Sequence, residues 1–304
     1  PFFDLYINSV FNLKLNGNLY LYCDDMSIVN FGNDTKEMKA NIEQDLMLIH
    51  KWLSNHFLSP NAKKTQYVLF QGRKRFESFT ERALNISFNG TAIERSENIK
   101  LLGLIIDEQL TFKCNVDEIK KKEKKRITPF IYALRRARKF ISEKTARDLY
   151  YAHVQSHLGY MSTVWSCLSV GQMKSLEILQ RKALRIVLRK SWFAGKEILY
   201  SIRLLPVSVM CKTNCSLQVF KFASNLIKNN VEIQLGSDIH NHSTRNRGNF
   251  TIRMCRTSQG AQNFYIRAFA DFNNLPQQIK AFHSLSIIKN RLREHYLELY
   301  FDAN

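Results

Sequence analysis

The sequence predicts an α+β chain, and two patterns carry that reading. Over roughly the first 112 residues, short β-prone runs alternate with turn residues around one amphipathic helix. Beyond that point, apolar residues recur at helical spacing almost to the end. With 45% apolar and 23% charged residues, the chain can bury a sizeable core, and wholesale disorder is excluded.

The elements come in order. Tyr6 to Phe11 is a short apolar run. Leu19–Cys23 and Met26–Val29 are β-prone and separated by Asp24-Asp25, a pair suited to a two-residue hairpin turn. Thr35 is positioned as an N-cap for a helix whose apolar face is Ile42, Leu46, Ile49 and Leu53, and Ser59-Pro60-Asn61 ends it. Tyr67–Phe70 reads as a strand, and Ile86–Phe88 leads into Asn89-Gly90, the pair that suits a type I′ hairpin turn. The run from Leu101 to Ile106 around Gly103 reads as one further strand. Val116, Ile119, Ile127, Phe130, Ile131 and Leu134 then suit a long helix, with Pro129 expected to kink or split it. Two more helices are expected over 144–158 and 172–189, the latter burying Leu176, Leu179, Ala183 and Ile186. From Pro206 on, the chain reads as mainly helical, with a polar loop near Gly236–Asn249. The expected segments are 1–112, 113–205 and 206–304.

Charge narrows the possible partners. The formal net charge is +19, which points to a polyanion. It is unevenly placed. Residues 1–58 hold four Lys against seven acids, whereas Lys120, Lys121, Lys122, Lys124, Lys125, Arg126, Arg135, Arg136, Arg138 and Lys139 are accompanied only by Glu123. Such a run can be a solvated helix face or a phosphate-contacting surface, and its one-sidedness favours the second. No apolar run approaches the length of a membrane span, so no membrane partner is expected. No two glycines lie closer than twelve positions, which excludes a glycine-rich phosphate loop, and no Cys-x-x-Cys pair encodes a zinc ribbon. Six scattered cysteines without a framework fit a reduced intracellular compartment.

Asp24-Asp25 is the sharpest chemical feature. Adjacent carboxylates at a hairpin tip make a hard-oxygen site suited to Mg²⁺, although Asp-Asp is also ordinary turn chemistry. His153 and His157 share a helix face but lack the Glu of the zinc-protease pattern and an evident third ligand, so packing or surface histidines are the better reading. Cys211 and Cys215 read as buried thiols, His240 and His242 as loop residues without nearby partners, and Phe264, Tyr265, Phe269 and Phe272 as helix core.

Several blocks, in order, resemble the reverse transcriptases of non-LTR (LINE-type, Jockey-like) retrotransposons. Pro1–Asn8 (PFFDLYIN) resembles the segment after the family's Gln-Gly block. Tyr22-Cys23-Asp24-Asp25 matches the catalytic hairpin, with Cys23 where Ala is usual. Trp52, Asn55, Leu58, Asn61, Lys64 and Thr65 match a "W…N.L..N..KT" block, and Ile99–Leu110 matches the primer-grip region. Leu149–Trp165 and Leu179–Ile186 resemble the helical thumb and the segment beyond it, and Phe272–Pro276 resembles a "WNSLP" string.

The resemblance implies a partial right-hand polymerase palm with a small antiparallel sheet, then a basic helical thumb. It implies Mg²⁺ held by Asp24 and Asp25, Lys64 near the incoming nucleotide, and Leu102 and Gly103 gripping the primer end. Lys64 could equally be one more surface lysine, and Gly103 could serve a strand bulge as well. The implied partners are an RNA template and a DNA primer, and the implied location is cytoplasm and nucleus. The family's site needs a further Asp on an earlier palm strand, which is expected to precede Pro1. Asp4 stands too close to Asp24 to replace it. The chain is therefore expected to be a polymerase fragment that does not extend a primer alone. The alternatives are a remnant that grips template–primer without chemistry, and a product that folds poorly because half a palm exposes sheet edges.

Overall fold

The computed structural model describes residues 2–61, 64–70, 84–122, 128–191, 193–195, 197–227, 234–239, 247–281 and 284–302. The chain is α+β and forms two compact units, Pro1–Leu110 and Thr111–Asn304.

The first unit opens with α1 (Phe2–Ile7) and a 3₁₀ turn (Asn8–Asn12), where the sequence shows only a short apolar run. Strands β1 (Asn18–Tyr22) and β2 (Asp25–Val29) form an antiparallel hairpin. Helix α2 (Thr35–Asn55) is capped one residue earlier than expected, by Asp34, whose side chain accepts from the Lys36 N–H at 3.3 Å. Its apolar positions serve two cores. Met38, Ile42 and Leu46 pack on the cluster of Leu69, Leu84, Ile86, Phe88 and Ile93. One to two turns further on, Trp52 and Leu53 join Ile7 and Val10 beneath the β1–β2 hairpin. The His56 ring stacks on Trp52 at 4.0 Å, and its backbone carbonyl accepts from the Tyr6 hydroxyl at 2.5 Å, which ties α1 to the end of α2.

The remaining strands are short. β3 (Gln66–Tyr67) shares only Tyr67 with the expected run and pairs in parallel with β6 (Glu94–Arg95). β4 (Ser87–Phe88) and β5 (Thr91–Ala92) form the expected hairpin, with Asn89 at φ +48° and Gly90 at φ +75°, the left-handed pair of a type I′ turn. The expected single strand over 101–106 is instead a hairpin. β7 (Asn98–Leu101) turns through Leu102 (φ +48°) and Gly103 (φ +83°) into β8 (Leu104–Asp107). Apolar residues on both sides hid that turn, and only the glycine marked it. The described strands thus form four two-stranded ladders rather than one small antiparallel sheet.

The second unit is helical. The described parts of the expected long helix are α3 (Lys113–Lys122) and α4 (Thr128–Ala137), and residues 123–127 between them lie outside the described residues. Pro129 lies in the first turn of α4, where its missing N–H breaks no intrahelical bond. Ser142 caps α5 (Glu143–Tyr150), accepting from the Thr145 N–H at 3.0 Å. A π-helical turn (Tyr151–Gln155) carries the chain into α6 (Ser156–Gly159), and α7 (Ser162–Trp165) comes next. α8 (Val170–Val187) begins with a Ser169/Gln172 capping box and buries Leu176, Leu179 and Ala183, while Ile186 is half-buried.

After α9 (Glu197–Ser201) comes α10 (Val207–Ala223), which packs on α7 and α8. Gln180 of α8 is fully buried and donates to the Leu205 carbonyl at 3.0 Å and to Gln155 Oε1 at 3.4 Å. The π turn puts Gln155 where the buried Tyr150 hydroxyl donates to the same oxygen at 2.6 Å. Burial pushes that phenol far above its ordinary value.

The rest comprises α11 (Gly236–Ile239), α12 (Ser258–Ala261), α13 (Phe264–Asn273), α14 (Gln277–Lys280) and α15 (Leu285–Asp302). α10, α13 and α15 enclose one hydrophobic cluster, which includes Val219, Phe269, Phe272, Ile288 and Leu292. Fully burying each such side chain contributes about 1.5–3 kcal/mol. Among the described residues, no helix is long and apolar enough to cross a membrane.

Candidate active site and nucleic-acid interface

The β1–β2 register fixes what the first hairpin presents. Leu19 pairs with Ile28 and Leu21 with Met26, and Leu19, Leu21 and Met26 pack on the Ile7, Val10 and Trp52 core. Strand alternation then places Tyr20, Tyr22, Asp25 and Ser27 on the opposite face. The loop is Cys23-Asp24, one residue earlier than the expected Asp24-Asp25, because Tyr22 pairs with Asp25. Cys23 takes the left-handed conformation at φ +52°. Asp24 is therefore in the loop and Asp25 is the first residue of β2, adjacent at the free end and both exposed.

Asp45 of α2, which no motif or spacing in the sequence singles out, holds the other end of the hairpin. It is fully buried. Its carboxylate accepts from the backbone N–H of Asn16 at 2.8 Å and of Gly17 at 2.9 Å, just before β1. It also accepts from the amides of Asn16 at 3.1 Å and of Asn30 at 3.4 Å, the latter just after β2. A side chain on Gly17 would meet the Asn30 amide oxygen at 2.6 Å, so the Asn30 side chain would have to turn away from Asp45 to admit it. Both strands are thus fastened at their base to α2, and the tip carries the carboxylates.

Lys64 lies in a turn closed by its own N–H to the Asn61 carbonyl at 3.0 Å, with its side chain exposed. Leu102 and Gly103 form the tip of the β7–β8 hairpin and are half-buried. Among the described residues, Asp24, Asp25 and Lys64 make no side-chain hydrogen bond or ion pair, with one another or with any other group.

Of the basic residues, Lys121, Arg135, Arg136 and Lys139 are exposed. Lys120, Lys121 and Lys122 lie in α3, and Lys124, Lys125 and Arg126 lie outside the described residues. Arg138 corrects the sequence reading. It is buried, and its guanidinium donates to the carbonyls of Val187 at 2.7 Å and Ile141 at 2.9 Å. The Arg189 guanidinium in turn donates to the Arg138 carbonyl. This arginine ties α4 to the end of α8 and is not a phosphate ligand. Its spacing of seven from buried Ile131 and four from buried Leu134 was the available signal.

The remaining candidates fall as expected where they are described. His153 stacks on Phe130 at 4.5 Å. Cys211 and Cys215 are buried, and burial pushes the Cys211 thiol up to about 12. Phe269 and Phe272 are core residues, with Phe264 and Tyr265 packed against them. Asn273, inside the Phe272–Pro276 string, accepts from the Phe250 N–H and donates to its carbonyl, each at 2.9 Å. His240 and His242 lie outside the described residues.

Two exposed, adjacent carboxylates without protein partners fit Mg²⁺, which takes one or two carboxylates and completes its shell with water and substrate phosphates. Among the described residues, no group of three or more His, Cys, Asp or Glu side chains gathers into a closed metal cage.

Comparison with known proteins defines the class first: the chain contains a region similar to the RNA-directed DNA polymerases of non-LTR mobile elements. It is 24% identical over 172 residues to the RNA-directed DNA polymerase from mobile element jockey of Drosophila funebris, and 22% identical over 172 residues to that of Drosophila melanogaster. It is 21% identical over 170 residues to the probable RNA-directed DNA polymerase from transposon BS of Drosophila melanogaster. The matched stretch covers 56–57% of this chain and 18% of the length of each relative. No protein-family profile and no solved structure matches the chain.

Proposed function

We propose that the chain is a portion of a non-LTR retrotransposon reverse transcriptase, with residues 1–112 as part of the palm, 113–205 as a basic thumb and 206–304 as a helical C-terminal region. The observation that carries this reading is the β1–β2 hairpin. Its apolar face and its base are fixed to α2, and its exposed tip presents Asp24 and Asp25 in a chain similar to RNA-directed DNA polymerases.

In this reading Asp24 and Asp25 hold Mg²⁺. When bound, the ions stabilise the charge that develops as a primer 3′ hydroxyl attacks a nucleotide phosphate. Lys64 sits near the leaving pyrophosphate, and the Leu102–Gly103 tip lies against the primer end. Arg135, Arg136 and Lys139 contact template–primer phosphates. The activity places the protein with its RNA template in cytoplasm and nucleus.

A second reading, a module that grips template–primer without chemistry, is favoured by one observation. Among the described residues, no third acidic ligand gathers with Asp24 and Asp25. Primer extension with Mg²⁺ on a primed RNA, run on this chain and on the chain joined to the upstream part of a related polymerase, separates the two. Extension by the joined chain that Asp24→Ala abolishes supports the polymerase reading. Binding to template–primer with no extension by either chain supports the second reading, and extension indifferent to Asp24→Ala contradicts the polymerase reading.

A further inference from the structure

On the outer face of α4, Tyr132, Arg135 and Arg136 stand in one stripe at i, i+3 and i+4, and Lys139 follows in the turn just beyond Ala137. Phe140 stands at its end. The opposite stripe, Ile131, Leu134 and Arg138, is buried, so the orientation of the helix is fixed. Tyr132 is 59% and Phe140 88% exposed. Among the described residues, neither ring packs on another aromatic ring, and none of the three cations forms an ion pair. No acid occurs from Thr128 to Ser142, and the next one, Glu143, pairs with Arg147 at 2.5 Å.

We infer that this stripe is a binding site for an unpaired nucleic-acid strand, in which Tyr132 and Phe140 stack on bases while Arg135, Arg136 and Lys139 hold the intervening phosphates. The inference rests on the nucleic-acid binding proposed above and adds the form of the ligand. Basic side chains alone serve duplex and single strand alike, since both offer phosphates. Exposed rings flanking them find a face to stack on only where bases are unstacked and accessible. A lipid surface fits less well. An interfacial helix inserts a broad apolar face, whereas the apolar face of α4 is already buried in protein and two rings remain outside.

The test is fluorescence anisotropy on the full chain with a single-stranded RNA of about 20 nucleotides, longer than the site size of a typical single-strand binding fold, the same strand with abasic positions, and the matching duplex. Co-sedimentation with phosphatidylserine vesicles runs beside it. The single strand is expected to bind more tightly than the abasic strand or the duplex. Tyr132→Ala and Phe140→Ala are each expected to weaken it roughly fivefold or more, while Tyr132→Phe keeps the affinity. A strand carrying 2-aminopurine should lose its binding-induced fluorescence change in the two alanine variants. If the alanine variants bind like the parent, or the abasic strand binds equally well, stacking is refuted and nucleic-acid binding stands. If the parent binds no nucleic acid, both readings fall. Ring-dependent vesicle binding without RNA binding would replace this ligand with a membrane.

Discussion

Asp45→Ala tests how the candidate catalytic hairpin is held. The substitution strips acceptors from the backbone N–H groups of Asn16 and Gly17, at 2.8 and 2.9 Å, and from two side-chain amides at 3.1 and 3.4 Å. A hydrogen bond to a charged group contributes about 1.5–3 kcal/mol. The donors sit at the edge of the structure and are partly rehydrated once the carboxylate is gone. The low end therefore applies to the two backbone bonds, and the longer amide bonds add little. The expected loss is about 3 kcal/mol, read from urea denaturation of the full chain with a probe in the first unit. Asp45→Asn should lose a similar amount, because its amide nitrogen would face N–H donors. Amide exchange should quicken across Asn18–Val29 more than across the β4–β5 hairpin, which Asp45 does not touch. A loss below about 1 kcal/mol, or exchange that rises uniformly, would refute the claim that this carboxylate fastens the hairpin.

Other expectations can be checked independently. Arg138→Ala should destabilise the second unit by about 2 kcal/mol in thermal or urea unfolding, since one buried and one part-buried carbonyl lose their donor. The folded fraction should keep its RNA affinity, whereas Arg135→Gln with Arg136→Gln should flatten the salt dependence by about 1.4 in log–log slope for a single strand. The second unit should be labile to alkali. The Cys211 thiol is pushed from its ordinary 9.0 to about 12, and the Tyr296 phenol from 10.0 to about 12, chiefly by burial. Between about pH 9 and 12 the unfolded chain therefore loses protons that the folded chain keeps, and stability falls with rising pH. Flat stability from about pH 8 to 11 would contradict this. At about pH 8 a maleimide should label the exposed Cys23, Cys114 and Cys255, detected by mass spectrometry, and leave Cys211 and Cys215 untouched.

The local elements are readable from the sequence where a single residue type dictates backbone geometry. Asn89-Gly90 specifies a turn with two left-handed residues, and the structure has one there. The first hairpin is legible as well, but its loop lies one residue from where the turn residues point. Asp is the commoner turn residue, yet the cross-strand pairing that sets Leu19 against Ile28 and Leu21 against Met26 puts Cys23 in the loop. The turn at Leu102-Gly103 is lost inside an apolar run, and the π turn at Tyr151–Gln155 leaves no mark in hydrophobic spacing.

Residues defined by distant partners are the least legible. Asp45 comes after Glu43 and Gln44 in a polar stretch of α2, and only the return of residues 16, 17 and 30 gives it a role. Arg138 sits in a basic run and reads as part of that run's surface, although its spacing from Ile131 and Leu134 marks it as inward-facing.

The carboxylates at the β1–β2 tip decide whether the chain belongs to a working polymerase. The most direct measurement is Mg²⁺-dependent primer extension on a primed RNA by the chain joined to a related polymerase's upstream part, with Asp24→Ala and Asp25→Ala compared against the parent. The polymerase reading predicts extension by the parent and its loss in each variant, with template–primer affinity unchanged. Extension that survives both substitutions would contradict it.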